Sequence, residues 1–423
     1  MYKGKINNIY MNNDRLIIKN FGPIKKAEIQ IRKYNIFIGD TACGKSIAAK
    51  LLSIFNSEEI LLLKTGDYNN FITLLSKYNI DFPFHQDSSI TYIHDSYHWS
   101  ISYNSFETNN VNHILLKSIQ DKNQENIEEI LKQKVIAISD KERDILKKSI
   151  WLLNHTKSDD HQIQSAVFQF MKDALLFGYN IKNPIYIPAE RILISMFSNN
   201  IFSLLEANLN IPECIKRFGS QYEKAKRSKM PSQKIDFMNI KVSFEENDDI
   251  VVFSEDDEAV KLTQASSGIQ SIIPLWVVIE NNFNTSANDN ILIVEEPELN
   301  LYPTKQVKLM ESILSKVEES LGTLVVTTHS PYILSVFDNL ILANEVLKNS
   351  ANKRNIKRRI QQITKTDLTI NFDHVSSYLF QNNGDVIDIR DEDLKTVGAE
   401  QIDQASNYLS DIFENLCNIE TYE

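Results

Sequence analysis

Between residues 34 and 55 an apolar segment, a glycine-containing turn and a second apolar segment follow one another directly, and this order limits the folds open to the chain. Residues 35–38 (NIFI) predict a short buried strand, and residues 47–55 (IAAKLLSIF) predict a helix. The turn at residues 39–46 reads GDTACGKS and fits the phosphate-binding pattern G-x4-G-K-S. A strand that enters such a loop and a helix that leaves it indicate an α/β sheet.

The residue types of this loop suit the binding of phosphate groups. Its glycines allow backbone N–H groups to turn inward toward an anion, and the N-terminal end of the following helix favours a phosphate at the same place. The Lys45 ammonium can reach β- and γ-phosphates, while the Ser46 hydroxyl can ligate Mg²⁺. We therefore predict that a nucleoside triphosphate is bound by a contiguous set of residues: Gly39, Asp40, Thr41, Ala42, Cys43, Gly44, Lys45, Ser46 and Ile47.

The composition is typical of a soluble globular protein, with 42% hydrophobic and 24% charged residues. At 423 residues we expect one large core with an insertion, or two domains. There is no run of about eighteen uncharged apolar residues, so no membrane span is predicted, and the first 20 residues lack a signal-peptide core. Cys43, Cys214 and Cys417 lack metal-ligand spacing, which suits a reducing cytoplasm. The net charge of −11 argues against a generally basic nucleic-acid-binding surface.

Two further apolar strands end in side chains that suit nucleotide hydrolysis. Residues 291–294 are followed by Glu295 and Glu296. The first carboxylate can hold Mg²⁺ through its water shell, and the second can polarise the attacking water. Residues 324–326 lead to His329, at the carboxyl end of a strand, where ligands bind in open α/β sheets. A histidine there can hydrogen-bond the γ-phosphate, so we predict that these three residues and Lys45 belong to one catalytic site.

A serine- and glycine-containing segment precedes an apolar stretch at residues 269–279, which we predict to be helical despite Pro274. Ser266 and Ser267 can cap this helix, and Gly268 allows a phosphate to approach closely. A plain helix N-cap has the same residue types. Taken alone, this segment fits a simple cap better than a phosphate site.

In their order along the chain, the motifs resemble those of the ABC-type ATPases, in the branch of SMC heads and OLD (overcoming lysogenization defect) ATPases. The resemblance covers residues 16–55 and 184–341, and its motifs are the phosphate loop, IPAER (187–191), SSGIQ (266–270), EEPELNLYP (295–303) and TTHSPYIL (327–334). It implies an α/β ABC-ATPase head, a mixed sheet with flanking helices, that uses ATP and Mg²⁺. Three positions depart from the family pattern: Glu295 replaces an aspartate, SSGIQ replaces SGGQ, and Glu190 stands where glutamine is usual.

The resemblance also implies roles for individual residues. Glu295 and Ser46 would hold the magnesium ion, Glu296 would be the catalytic base, and His329 the switch histidine. The signature residues Ser266, Ser267 and Gly268 would contact the ATP of a partner subunit. A homodimer or larger assembly with shared ATP sites is therefore expected.

For the whole chain we predict four segments. Residues 1–55 and 184–341 would form the two parts of the ATPase core, residues 56–183 a mostly helical inserted lid or arm, and residues 342–423 a C-terminal extension. The insert could equally be a helical subdomain that only packs against the core. In the C-terminal extension the aspartates Asp385, Asp388 and Asp391 are too loosely spaced to indicate a nuclease metal site.

The leading functional hypothesis is a standalone OLD-like ATPase of a bacterial anti-phage defence system, such as PARIS or Septu. In such systems the ATPase senses an invader and controls a separate nuclease or toxin. The alternative is an SMC-like DNA-repair or DNA-binding head, but residues 56–183 show no sustained heptad repeat. A transporter ATPase subunit is a third possibility. Basic stretches at residues 216–234 and 353–359 could equally be solvated helix faces, or they could dock an acidic partner protein or, secondarily, bind DNA without sequence specificity. The trigger of such a system could be DNA or a phage protein.

Overall fold

The computed structural model describes residues 14–94, 97–109, 119, 121, 127, 140–155, 161–178, 183–197, 211–228, 232–245, 249–254, 258–283, 290–320, 322–350, 352–398 and 410–415. The predicted inserted segment 56–183 therefore lies partly outside the described residues. The described strands are numbered in chain order: β1 (Arg15–Phe21), β2 (Ile24–Gln30), β3 (Tyr34–Gly39), β4 (Ser89–His94), β5 (Tyr97–Ser102), β6 (Ser105–Thr108), β7 (Asn183–Ile187), β8 (Ser232–Ile235), β9 (Ile240–Phe244), β10 (Asp249–Phe253), β11 (Ala259–Lys261), β12 (Asn290–Glu295), β13 (Thr323–Thr328), β14 (Val375–Phe380) and β15 (Val386–Asp388).

The α-helices are numbered in the same way: α1 (Lys45–Phe55), α2 (Glu58–Leu61), α3 (Tyr68–Lys77), α4 (Asp140–His155), α5 (His161–Gly178), α6 (Ile192–Phe197), α7 (Glu213–Arg227), α8 (Ser267–Phe283), α9 (Pro303–Glu318), α10 (Pro331–Lys348) and α11 (Lys353–Thr364). A short 3-10 turn, Ala189–Arg191, precedes α6. No helix in the described ranges is long and apolar enough to cross a membrane.

The central sheet has the strand order β15-β14-β3-β13-β12-β7. Its strands from β14 to β7 run parallel, and β15 pairs antiparallel with β14. Every residue of β12 and β13 is buried, which explains why NILIVE and TLVVTT are continuous runs without polar alternation. The predicted α/β fold is confirmed, with mixed sheets and flanking helices.

The parallel direction of these strands decides where the motifs meet. β3, β12 and β13 are neighbours or next neighbours, and their carboxyl ends are Gly39, Glu295 and Thr328. In a parallel sheet these ends lie at the same edge. The phosphate loop, the paired glutamates and the histidine segment are therefore brought together by sheet topology.

The second sheet is antiparallel and has the order β2-β1-β4-β5-β6. Because β4 pairs with β1 (Arg15 opposite Ile93), residues 89–108 extend the sheet that β1 and β2 begin, rather than belonging to a separate helical insert. Aromatic contacts join this sheet to the phosphate-loop helix, since the ring of Phe55 in α1 stacks on that of Tyr92 at 5.0 Å. The predicted boundary at residue 56 is thus not a boundary between sheets.

The predicted C-terminal extension also takes part in the central sheet. β14 pairs in parallel with β3, with Val375 opposite Tyr34 and Phe380 opposite Gly39. The predicted boundary at residue 342 therefore cuts through one sheet as well. A third, antiparallel sheet has the order β11-β10-β9-β8.

Candidate active site

The phosphate loop joins β3 to α1 through two glycines that cannot be replaced without strain. Gly39 has a φ of +151°, and a Cβ atom there would lie 2.2 Å from the carbonyl oxygen of Phe380. Gly44 has a φ of +103°, and a Cβ atom there would lie 2.5 Å from Cγ1 of Ile24. Only glycine fits such close approaches at positive φ. The neighbouring strands β14 and β2 thus shape the loop.

Lys45 lies at the first position of α1, and its side chain points back into the loop. Its Nζ donates hydrogen bonds to the carbonyl oxygens of Gly39 (2.9 Å) and Asp40 (2.7 Å). Burial lowers the pKa of Lys45 below its ordinary value. The Cys43 thiol donates to the same Asp40 carbonyl at 2.7 Å, and its side chain is buried. The lysine is therefore held at the place where the loop would receive phosphates.

Asp40 has partners on both sides. Its carboxylate accepts a hydrogen bond from the Thr41 backbone N–H (2.6 Å) and one from the Asn382 side-chain amide (3.3 Å). These two bonds, the backbone bond first, lower the pKa of Asp40. Asn382 follows β14, so the C-terminal part of the chain contacts the phosphate loop directly.

Glu296 and His329 face each other beside the loop. The Nε2 atom of His329 lies 3.1 Å from Oε1 of Glu296. Both residues line one cavity of about 690 Å³. Pro23, in the turn between β1 and β2, and Phe82, in the connection between α3 and β4, also line it. The other lining residues belong to the predicted loop: Thr41, Ala42, Cys43, Gly44, Lys45, Ser46 and Ile47. The structure therefore brings Lys45, Glu296 and His329 together, as the sequence predicted, although their roles stay predictions.

Glu295 is buried and 3% exposed, at the end of β12. Its Oε2 accepts a hydrogen bond from the Ala189 backbone N–H at 3.3 Å, whereas its buried Oε1 has no hydrogen-bond partner among the described residues. A buried carboxylate oxygen without a partner is costly unless a cation or water binds it. Carboxylate and hydroxyl oxygens are the ligands that Mg²⁺ prefers. Glu295 and the Ser46 hydroxyl therefore fit the predicted magnesium site.

The signature segment does not line this cavity. Gly268 lies in the first turn of α8, where a Cβ atom would be 2.8 Å from the carbonyl oxygen of Asn300. Gln270 anchors the segment because its Nε2 donates to the carbonyl oxygens of Thr263 and Ala265. Within one chain, Ser266, Ser267 and Gly268 are thus apart from the phosphate loop. Their contact with the ATP of a second subunit stays a prediction.

Two charged residues of the site have no role in the sequence-based prediction. Arg191, fully buried, donates hydrogen bonds to the backbone carbonyls of Glu295 (2.8 Å) and Glu296 (2.9 Å). Glu298 accepts hydrogen bonds from the Thr328 hydroxyl and from the His329 backbone N–H, both at 2.7 Å. Both residues lie in recognised motifs, IPAER and EEPE, but only the fold reveals their contacts. No feature of the sequence indicates that Phe82 lines the cavity.

The two basic stretches differ in how many of their cations form ion pairs. On α7, Arg217 pairs with Glu59 and Glu213, and Lys226 lies 2.8 Å from the buried Asp249. The cations of α11 are all exposed and form no ion pair within the described residues: Lys353, Arg354, Lys357, Arg358 and Arg359. Of the two stretches, the one on α11 therefore has more cations without an ion pair among the described residues, since only Lys216 and Lys224 are of this kind on α7.

Comparison with known proteins gives one family and several solved structures. Residues 11–334 match the family model described as "AAA ATPase domain". The chain is similar to an SMC head domain from Thermotoga maritima (9% identity, TM-score 0.34, covering 76% of this chain and 90% of that one). It is also similar to an SmcHead bound to the C-winged helix domain of ScpA (10% identity, TM-score 0.34, covering 76% of this chain and 91% of that one). A third similarity is to an Smc head domain with an extended coiled coil bound to the C-terminal domain of ScpA derived from Pyrococcus furiosus (11% identity, TM-score 0.28, covering 77% of this chain and 92% of that one). No curated protein sequence matches the chain.

Proposed function

Because the chain belongs to the AAA ATPase domain family, whose model spans residues 11–334, we propose that the cavity beside the phosphate loop binds and hydrolyses ATP. One observation carries this proposal. Lys45, Glu296 and His329 come from three separate segments of the chain and line the same cavity. A cation for the phosphates, a carboxylate for the water and a histidine for the γ-phosphate are the groups that phosphoryl transfer to water requires.

Each side chain has a defined task in this proposal. The Lys45 ammonium moves from the Gly39 and Asp40 carbonyls to the β- and γ-phosphates. Ser46 and Glu295 would hold Mg²⁺, which would supply neutralisation of phosphate charge. Glu296 orients the attacking water and takes its proton, and His329 hydrogen-bonds both Glu296 and the γ-phosphate. His329 can thereby register whether the γ-phosphate is present.

We propose, from the resemblance to ABC-type ATPases, that two chains share their ATP sites. The signature segment lies outside its own chain's cavity, so it is available to a second subunit. With ATP and Glu296→Gln, which slows breakdown of the bound nucleotide, light scattering should show a dimer or larger species. Nucleotide bound between subunits stabilises the assembly by mass action. Lys45→Ala under the same conditions should remain in its nucleotide-free state of association. A strictly monomeric Glu296→Gln with ATP bound would contradict this proposal.

At the level of the cell, we propose a sensor and scaffold subunit of an anti-phage defence system that controls a separate nuclease or toxin. The OLD-like order of motifs supports this proposal. The test is phage plating on cells that express the gene with its genomic neighbours. Lys45→Ala should abolish any protection. If phage titres are unaffected by the intact operon while its deletion sensitises cells to DNA damage, the SMC-like repair function is the better explanation.

The exposed cations of α11 are the surface that we propose for the effector. Next to α11 a groove of about 450 Å³ is lined mainly by apolar side chains of α10 and α11, including Leu342, Val346 and Ile363, which are 62%, 42% and 77% exposed. Val307 and Glu311 of α9 also line it. Cations beside an apolar groove complement an acidic, amphipathic helix. With a chain net charge of −11, this patch stands out from its background. We propose that an acidic partner protein binds this surface.

Reversal of three α11 charges, Lys357→Glu, Arg358→Glu and Arg359→Glu together, should abolish co-purification of the effector and leave ATPase activity unchanged. The measurement is a pull-down from cells that co-express the neighbouring genes, together with phosphate release. The matched control reverses three exposed cations of α7: Lys216, Lys224 and Arg227. If the α11 variant keeps its effector but loses retention of DNA at low salt, the patch binds DNA through its phosphates instead.

A further inference from the structure

The guanidinium of Arg191 is fully enclosed and bound to four backbone carbonyls around the paired glutamates. Nη1 donates to the carbonyl oxygens of Glu295 (2.8 Å) and Pro188 (3.3 Å). Nη2 donates to those of Glu296 (2.9 Å) and Pro297 (3.4 Å). Its side chain is 0% exposed. Arg191 thus binds the backbone of both glutamates, while their carboxylates remain available to the site.

This backbone needs such support because Glu296 has an unusual conformation. Its φ is +43°, in the left-handed region that residues with a side chain seldom adopt. Such a conformation is unfavourable for a residue with a side chain and persists only where its surroundings enforce it. The backbone N–H of Glu296 donates to the Thr327 carbonyl oxygen at 2.8 Å, and Arg191 holds its carbonyl oxygen. The residue is therefore anchored at both of its peptide groups.

The positive charge of Arg191 also suits its position beside the glutamates. Burial lowers its pKa to about 10, and the carboxylates of Glu298, Glu296, Glu295 and Glu190 act in the opposite direction. The guanidinium therefore stays charged at neutral pH. A fixed positive charge beside several carboxylates reduces their mutual repulsion. Loss of this charge would increase the repulsion among these carboxylates.

A second buried contact fixes the helix that follows Arg191. The Ser195 hydroxyl, in α6, donates to the Gln270 carbonyl oxygen in α8 at 2.6 Å. Ser195 is 0% exposed. Arg191 and Ser195 are four residues apart, so α8 holds the segment from which the guanidinium reaches the end of β12.

We propose that Arg191 is the positioning residue of the hydrolytic site, which holds Glu296 in its left-handed conformation so that the carboxylate faces the γ-phosphate and the water. The proposal rests on the proposed ATPase function and adds a residue to it. Arg191 itself does not line the cavity. It acts on the reaction through the backbone of Glu296. A lysine cannot replace it, because one ammonium group lacks the planar fork that binds two carbonyls at once.

The decisive experiment is a double-mutant cycle with Arg191→Lys and Glu296→Gln, measured as kcat and KM for ATP per nucleotide-binding site. Binding sites are counted with a fluorescent ATP analogue, so unfolded protein does not contribute. We expect Arg191→Lys to lower kcat at least about tenfold with KM changed less than about threefold, since the interaction serves the transition state. In the Glu296→Gln background, the same change should have little further effect, because its target carboxylate is already absent.

The outcomes separate this inference from the proposed function. If the wild-type protein releases no phosphate from ATP, the proposed function fails. If Glu296→Gln lowers kcat but Arg191→Lys lowers it by the same factor in both backgrounds, Arg191 has only a structural role and the inference is wrong. Arg390→Lys is the matched control, since Arg390 is also mostly buried and donates to a backbone carbonyl, that of Val375. It should leave kcat unchanged.

A milder variant keeps the test valid if Arg191→Lys does not fold. Ser195→Ala removes one hydroxyl and leaves the guanidinium in place, but it releases α6 from the Gln270 carbonyl. We expect a smaller loss of kcat than for Arg191→Lys, again with KM nearly constant and again absent in the Glu296→Gln background. A loss of equal size in both backgrounds would overturn the proposal.

Discussion

Glu296→Gln should retain ATP and lose most of its turnover, with kcat falling on the order of 10²–10⁴-fold, the range that a general base supplies. Glutamine has nearly the same shape as glutamate and can keep the contact with His329 Nε2, which lies 3.1 Å from Oε1 in the structure. It cannot accept the proton of the attacking water. Since Glu296 lines the cavity but does not hold Lys45, the affinity for ATP should change little.

The measurement is steady-state phosphate release, with nucleotide affinity determined in parallel by a fluorescent ATP analogue. Glu319→Gln is the control, because Glu319 is an exposed glutamate at the end of α9. This control should behave like the wild-type protein. Phosphate release at the wild-type rate in Glu296→Gln would show that another group activates the water.

Lys45→Ala should abolish detectable ATP binding, and hydrolysis with it. Removal of the cationic partner from a partly buried charge pair costs about 3 kcal/mol, roughly a 100-fold loss of affinity. The same change removes the ammonium that satisfies the Gly39 and Asp40 carbonyls, so the loop itself loses two hydrogen bonds. Burial lowers the pKa of Lys45, and bound phosphates would act in the opposite direction because they favour its charged form.

Equilibrium titration with the fluorescent analogue measures this effect. Lys50→Ala, on the same helix and five residues further along, is the control for a lost lysine charge on α1. Retention of micromolar affinity in Lys45→Ala, with the control unchanged, would show that nucleotide binds elsewhere. Because Glu296→Gln should bind but not hydrolyse and Lys45→Ala should do neither, the pair separates binding from chemistry.

The sequence by itself determined the parts of this protein whose chemistry is local. The strand at residues 35–38, the helix at 47–55 and the buried strands at 291–294 and 324–326 all lie where they were predicted. Each is specified within a short window, by apolar runs and by the glycines that a phosphate loop needs. The α/β class followed from the same elements. So did the expectation that Lys45, Glu296 and His329 belong to one site, because their side chains are those that nucleotide hydrolysis needs.

Only the tertiary structure decided which distant segments complete the two larger sheets. β4 pairs with β1 across more than 60 intervening residues, and β14 lies beside β3 although over 300 residues separate them. An alternating pattern such as that of β4 reports which face is buried, but not which strand lies next to it. The predicted boundaries at residues 56 and 342 therefore followed changes in local pattern, and both sheets continue across them.

The same reason explains what was missed in the site. Arg191 and Glu298 act through contacts with carbonyl and N–H groups of the backbone, which every residue has and which no motif distinguishes. The left-handed φ of Glu296 is equally invisible in a sequence that has glutamate there. The residue types at the strand ends decided which chemistry is available. The fold decided how those residues are held, because that depends on hydrogen bonds between segments far apart in the chain.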